Sequence, residues 1–320
     1  MELSLFIENL RNPTLLFFLL GIISSLIRSD LEIPSSTIRF ISLYLIFSIG
    51  FKGGQELTLI NYGSEAILSI LICLVLSVVV TLYVFYLAKK VLTVPNSGAV
   101  AATFGSVSAI TFIETALFCS EHQMPYGGYM VGAMALMEVP PIITVAVLVK
   151  VYTTHDIKKT IVADAIRKTF TSSYVLLALG SLLVGIFSGN KEANAMTPFI
   201  GDLFKGFLAI FLIEMGRKVR EQFRGFSKYG NRIILMAILL PFLNALISLI
   251  VTHFFNMSDG NRLLICMLCA GGSYILVPQA MKKIAPQADT QLYVPMALGI
   301  VFPVNLVLGL PFYASIIKHF

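Results

Sequence analysis

Charge is the scarcest ingredient of this 320-residue chain. Asp, Glu, Lys and Arg together make up 12%, about half of what a soluble domain carries, while apolar residues make up 57%. So few charges cannot cover a soluble protein of this size, and so high an apolar content excludes disorder. Cysteine is nearly absent as well: four residues rule out a secreted disulfide scaffold. Cys266 and Cys269 make a CxxC, but no second pair of ligands accompanies them, so packing inside a span explains them better than a metal or redox role. Tryptophan is missing altogether, which leaves Tyr to supply any interfacial aromatic belt. The formal charge of +6 comes without a dense basic tract, which removes a nucleic-acid role. HExxH, GxSxG and P-loop motifs are lacking too, against an enzyme and against direct ATP drive. What remains is an integral membrane protein with many spans.

What the chain has in abundance is apolar runs of about 20 residues, the length that crosses a bilayer as a helix. Ten are expected, at about 13–28, 36–52, 63–88, 97–119, 127–150, 172–189, 200–217, 232–254, 261–281 and 291–316. The first follows Met1 to Asn12 without a basic region or a small-residue cleavage site, and is read as a retained helix. Lys and Arg set the orientation. The loops after spans one, three, five, seven and nine hold 17 of the 23. Both termini are therefore expected outside, and the loop 151–171 inside.

Self-similarity organises these spans. Gly105-Ser106 recurs as Gly272-Ser273, Tyr126 as Tyr293 and Gly132 as Gly299, all at an offset of 167. Ile49-Gly50 lines up with Met215-Gly216, and Leu20-Gly21-Ile22 with Val184-Gly185-Ile186, at 166 and 164. The expected architecture is all-α: residues 1–150 form a first five-helix repeat, 151–171 a cytoplasmic linker, and 172–320 a second repeat. Five is odd, so the repeats must be inverted, as in many secondary transporters.

Spans four and nine carry helix-weakening stretches at matching positions, Ala101 to Ser108 and Ala270 to Pro278. Unwound backbone at membrane depth persists where it lines a cavity or is buried in protein. If each helix breaks at mid-membrane, its second half starts there. Two helix N-termini then face the centre, each contributing about +0.5 elementary charge and free N–H donors. That suits one monovalent anion, with Gly105, Ser106, Ser108, Gly272 and Ser273 as its candidate ligands. The first halves end at the same place, and their carbonyls suit a small hard cation. Intramembrane acids are costly and mark function, which makes Glu138 and Glu214 candidate cation ligands together with Asn305, the repeat counterpart of Glu138. Glu114 is a further candidate, and Lys52 is placed at the end of span two.

Three stretches carry a family resemblance: Gly50-Phe51-Lys52-Gly53-Gly54, Gly105 to Phe112, and Gly271-Gly272-Ser273-Tyr274. They resemble the sodium-dependent bicarbonate transporters first known from cyanobacteria, over nearly the whole chain. The resemblance implies sodium-driven bicarbonate uptake in a bacterial inner (plasma) membrane, with sodium as coupling ion and no other cofactor. It also implies a core moving against a gate, in a homotrimer. It assigns the anion site to Gly105, Ser106, Ser108, Gly272 and Ser273, and acidic roles to Glu138 and to Glu214 in Glu214-Met215-Gly216. The cyanobacterial members have a longer, more charged central loop that contacts a PII-like regulator. The loop here is only about 20 residues, and such a partner is not expected. Both acids are Glu where those members have Asp. The alternatives are a sodium-coupled carrier of another small anion, and a cation/proton exchanger built on Glu138 and Glu214.

Overall fold

The computed structural model describes residues 11–59, 63–153, 163–164, 167–168, 170–226 and 229–319. The stretch before Arg11 and most of the expected linker lie outside these residues. No strand occurs among the described residues. The helices are α1 (Pro13–Leu26), α2 (Ser35–Leu59), α3 (Gly63–Ala88), α4 (Val94–Gly105), α5 (Ala109–Glu121), α6 (Met130–Leu136), α7 (Val139–Tyr152), α8 (Ser173–Phe187), α9 (Asn190–Ala195), α10 (Phe204–Phe226), α11 (Asn231–His253), α12 (Asp259–Ala270) and α13 (Leu276–Ile284). The last, α14 (Thr290–His319), is loosened by π turns at Met296–Val301 and Asn305–Gly309.

Five segments are long and apolar enough to cross a membrane: Gly63–Ala88, Val94–Glu121, Met130–Tyr152, Asn231–His253 and Thr290–His319. The other expected spans fall short for separate reasons. Helices α1 and α8 have 14 and 15 residues, fewer than the roughly 20 that a bilayer requires. In α2 and α10, Lys52, Glu56, Glu214, Arg217 and Lys218 dilute the apolar run. Helices α12 and α13 are 12 and 9 residues on either side of a break.

Two groups of helices form. In one, α1 lies along α10 and α2 along α8. The contacts are backbone to backbone: a Cβ on Gly216 would stand 2.1 Å from Phe18 O, and one on Gly185 2.3 Å from Phe51 O. Small residues permit this approach where lipid offers no hydrophobic drive. In the other group α3 packs on α4, α4 on α7, and α11 on α12.

Span two runs past its expected end at Lys52, to Leu59. Gly53 and Gly54 do not stop it, because each sits against neighbouring backbone, at Gly128 O and Leu182 O. Span seven likewise continues from its expected end at 217 to Phe226. On the described part of the linker, Asp164 pairs with Lys283 at the end of α13, and that hydrogen bond holds the half-buried Asp164 carboxyl below the usual carboxylate range.

Candidate transport site

Both expected interruptions are present. Helix α4 ends at Gly105, and the chain passes extended through Ser106 to Ser108 before α5 begins. The Ser108 hydroxyl caps α5, accepting from Thr111 N at 3.3 Å. Helix α12 ends at Ala270, and α13 starts five residues beyond Gly271, at Leu276. Gly105 allows the first break to sit tight on α3, since a Cβ there would lie 1.9 Å from Thr81 Oγ1 and 2.9 Å from Ser77 O.

The breaks meet. Ser273 N donates to Thr103 O at 2.9 Å. Beyond this crossing α12 packs on α5, and α13 on α4. One side of the crossing therefore holds α5 and α12, and the other holds α4 and α13. Helices α5 and α13 both start at the crossing and run to opposite sides. Ser106, Ser108 and Ser273 are all buried there.

Glu138 and Asn305 each bond at one of the breaks. Ser106 Oγ donates to Glu138 Oε2 at 2.5 Å, so the proton of that hydroxyl is aimed at the carboxylate. Asn305 Nδ2 donates to Ala270 O at 2.6 Å. One participant was missed at the level of sequence. Asn244 of α11 donates from Nδ2 to Cys269 O at 2.9 Å. Its signal was a lone amide inside an apolar span, three residues after Pro241.

The other candidates make different contacts. Glu214 is buried, but its oxygens are held by Arg217 at 2.8 Å and Lys218 at 3.3 Å. Its charge is answered one turn along its own helix. Glu114 is buried in α5 facing Thr14 of α1, with Oε1 unpartnered. Lys52 lines a small pocket of about 120 Å³ with Glu56, Ser120, Tyr126 and Lys205, on the α5 side.

The two sides differ in access. On the α13 side a cavity of about 780 Å³ reaches Tyr274, Ile275 and Leu276, directly after the crossing, and Arg39, Lys168 and Lys218 line it. On the α5 side Glu121 ties the end of α5 to α1 and α10, accepting from Asn12 Nδ2 at 3.2 Å and Lys205 Nζ at 2.8 Å.

A comparison with the curated proteins finds no match. A family model described as the Na+-dependent bicarbonate transporter superfamily matches residues 13–318. With nearly the whole length covered and helices suited to a membrane, this multi-pass membrane protein belongs to the Na+-dependent bicarbonate transporter superfamily.

Proposed function

We propose that this chain is a secondary active symporter that takes up bicarbonate with sodium, at a site between the two broken helices. The observation that carries the reading is the backbone bond from Ser273 to Thr103, which sets the starts of α5 and α13 at one crossing. Two positive helix ends there suit one small anion. Gly105, Ser106, Ser108, Gly272 and Ser273 supply backbone and hydroxyl donors. Glu138 supplies a hard oxygen for sodium, and Asn305 holds the equivalent place in the second half. Glu214, already ion-paired, has no part in this arrangement.

An inverted repeat of five plus five spans underlies the reading. Two pairs of contacts support it. Gly216 presses on α1 as Gly50 presses on α8, with a Cβ on Gly50 2.0 Å from Ser181 Oγ. Asn96, near the start of α4, accepts from Asp289 N at 2.8 Å, and Asn261, near the start of α12, accepts from Gly127 N at 2.9 Å. In each case the start of a broken helix caps the far loop of the other repeat. We place both termini outside, the basic loops and the large cavity at the cytoplasm of a bacterium, and the working form as a homotrimer without a PII-like partner.

Uptake of labelled bicarbonate into proteoliposomes tests the function. The wild type should accumulate it only with an inward sodium gradient. Ser273→Ala should raise the bicarbonate concentration at half-maximal uptake about tenfold, from the roughly 1.5–3 kcal/mol of a hydrogen bond to a charged group. Accumulation driven equally by potassium would defeat the reading. For topology, Lys158→Cys on a Cys-free background should resist an impermeant reagent added to intact cells. Labelling from outside would reverse the orientation.

A further inference from the structure

The last carbonyls of a helix have no partner within it. At the broken end of α12 two of them are served by side chains from different helices: Cys269 O by Asn244 of α11 and Ala270 O by Asn305 of α14. A carbonyl only accepts, so each amide must turn its NH2 toward it. Reversing either amide would set oxygen against oxygen. The orientation of both side chains is thereby fixed, and each Oδ1 is turned away from the carbonyl.

Both Oδ1 atoms are without a hydrogen-bond partner, in residues whose exposure is 0%. A buried acceptor left unmet calls for a physical explanation, a bound ion among them. Here two occur at one helix end. Acceptor oxygens take a donor or a cation. The C-terminal end of a helix is negative, so it repels an anion and favours a cation. The oxygens are neutral and hard, suited to an alkali ion. Among the described residues no group of three His, Cys, Asp or Glu side chains stands ready for a multivalent metal. Glu138 is engaged at the other break, by Ser106.

We infer that the broken end of α12 holds a second sodium ion, on Asn244 Oδ1 and Asn305 Oδ1, separate from the cation at Glu138. The inference rests on sodium being the coupling ion as proposed above. It gives Asn244 the role of a sodium ligand and makes the sodium dependence of the protein cooperative. Gly309 belongs to the same site, because a Cβ there would stand 2.9 Å from Asn305 Oδ1 and press on the ligand.

The test is equilibrium binding of radioactive sodium to the purified full chain in detergent without bicarbonate, beside uptake in proteoliposomes. Wild type should bind two ions per chain, with a Hill coefficient for sodium-driven uptake above 1. Asn244→Ala should bind one ion, with the other affinity weakened at least tenfold and the Hill coefficient reduced to 1. Its melting temperature in choline should fall modestly, because Cys269 O loses its donor. Gly309→Ala keeps both amides and should weaken the same ion severalfold, which decides the matter if Asn244→Ala does not fold. Unchanged stoichiometry and affinity in the folded variants would overturn the site. Sodium binding lost in Asn244→Ala supports the site even if bicarbonate proves not to be the anion, whereas sodium-independent uptake by wild type would defeat the proposed function itself.

Discussion

Replacing Glu138 by Gln should raise the sodium concentration for half-maximal bicarbonate uptake by about tenfold or more, with little loss of protein. Gln keeps the size of the side chain, and its amide oxygen still accepts from Ser106, which now approaches at 2.5 Å. Only the charge is deleted. A charged hydrogen-bonding partner is worth roughly 1.5–3 kcal/mol, which sets the scale of the change. Linkage is reciprocal: if sodium promotes anion binding, the anion promotes sodium binding by the same factor. The variant should therefore bind bicarbonate poorly at low sodium and recover at high sodium. Initial rates over a grid of both concentrations measure this. A fall in maximal rate that is equal at every sodium concentration would mean that Glu138 serves the movement instead of the cation.

The second large effect is expected at Gly105. Gly105→Ala drives a methyl group to 1.9 Å from Thr81 Oγ1 and 2.9 Å from Ser77 O. Overpacking of this kind costs about 1–3 kcal/mol, and α4 can relieve it only by leaving α3. That displacement would carry Thr103 away from Ser273 and loosen the crossing. Gly105→Ala should lower the melting temperature in detergent and reduce uptake. Adding Thr81→Ala removes the nearer obstacle and leaves only the Ser77 carbonyl. The double variant should recover a large part of the lost stability, a non-additivity expected of residues in contact. Equal melting of the single variant and wild type would show that α4 tolerates a side chain there.

The crossing was legible because it depends on local chemistry. Gly and Ser weaken a helix wherever they cluster, and the repeated Gly-Ser pairs marked both breaks to within a few residues. Glu138 and Asn305 were legible through the repeat offset. Asn244 was passed over because it has no counterpart in the repeat pattern. Its role depends on Cys269 O, 25 residues away in sequence, and no periodicity encodes that contact. Glu214 was singled out as a buried acid and by its Glu-Met-Gly setting, and the structure shows it ion-paired. The cations at Arg217 and Lys218, three and four residues on, were the better guide to its partners. Lys52 misled for a related reason. Gly53-Gly54 reads as a stop, yet the pair sits inside a continuous helix because the backbones of Gly128 and Leu182 come close enough to demand glycine.

The unequal access to the crossing also decides where the membrane potential acts. Solvent in the cavity lined by Arg39, Lys168 and Lys218 carries the potential of its own side as far as Tyr274. In the carrier proposed above, most of the voltage would then fall across the other half, over the length of α5 and α12, where Glu121 joins Lys205. A unit charge crossing that half exchanges about 2.3 kcal/mol with each 100 mV, while one leaving through the cavity exchanges little. With the basic side at the cytoplasm, internal sodium should thus bind with nearly the same affinity at any voltage. Sodium entering from outside should bind with a steep voltage dependence.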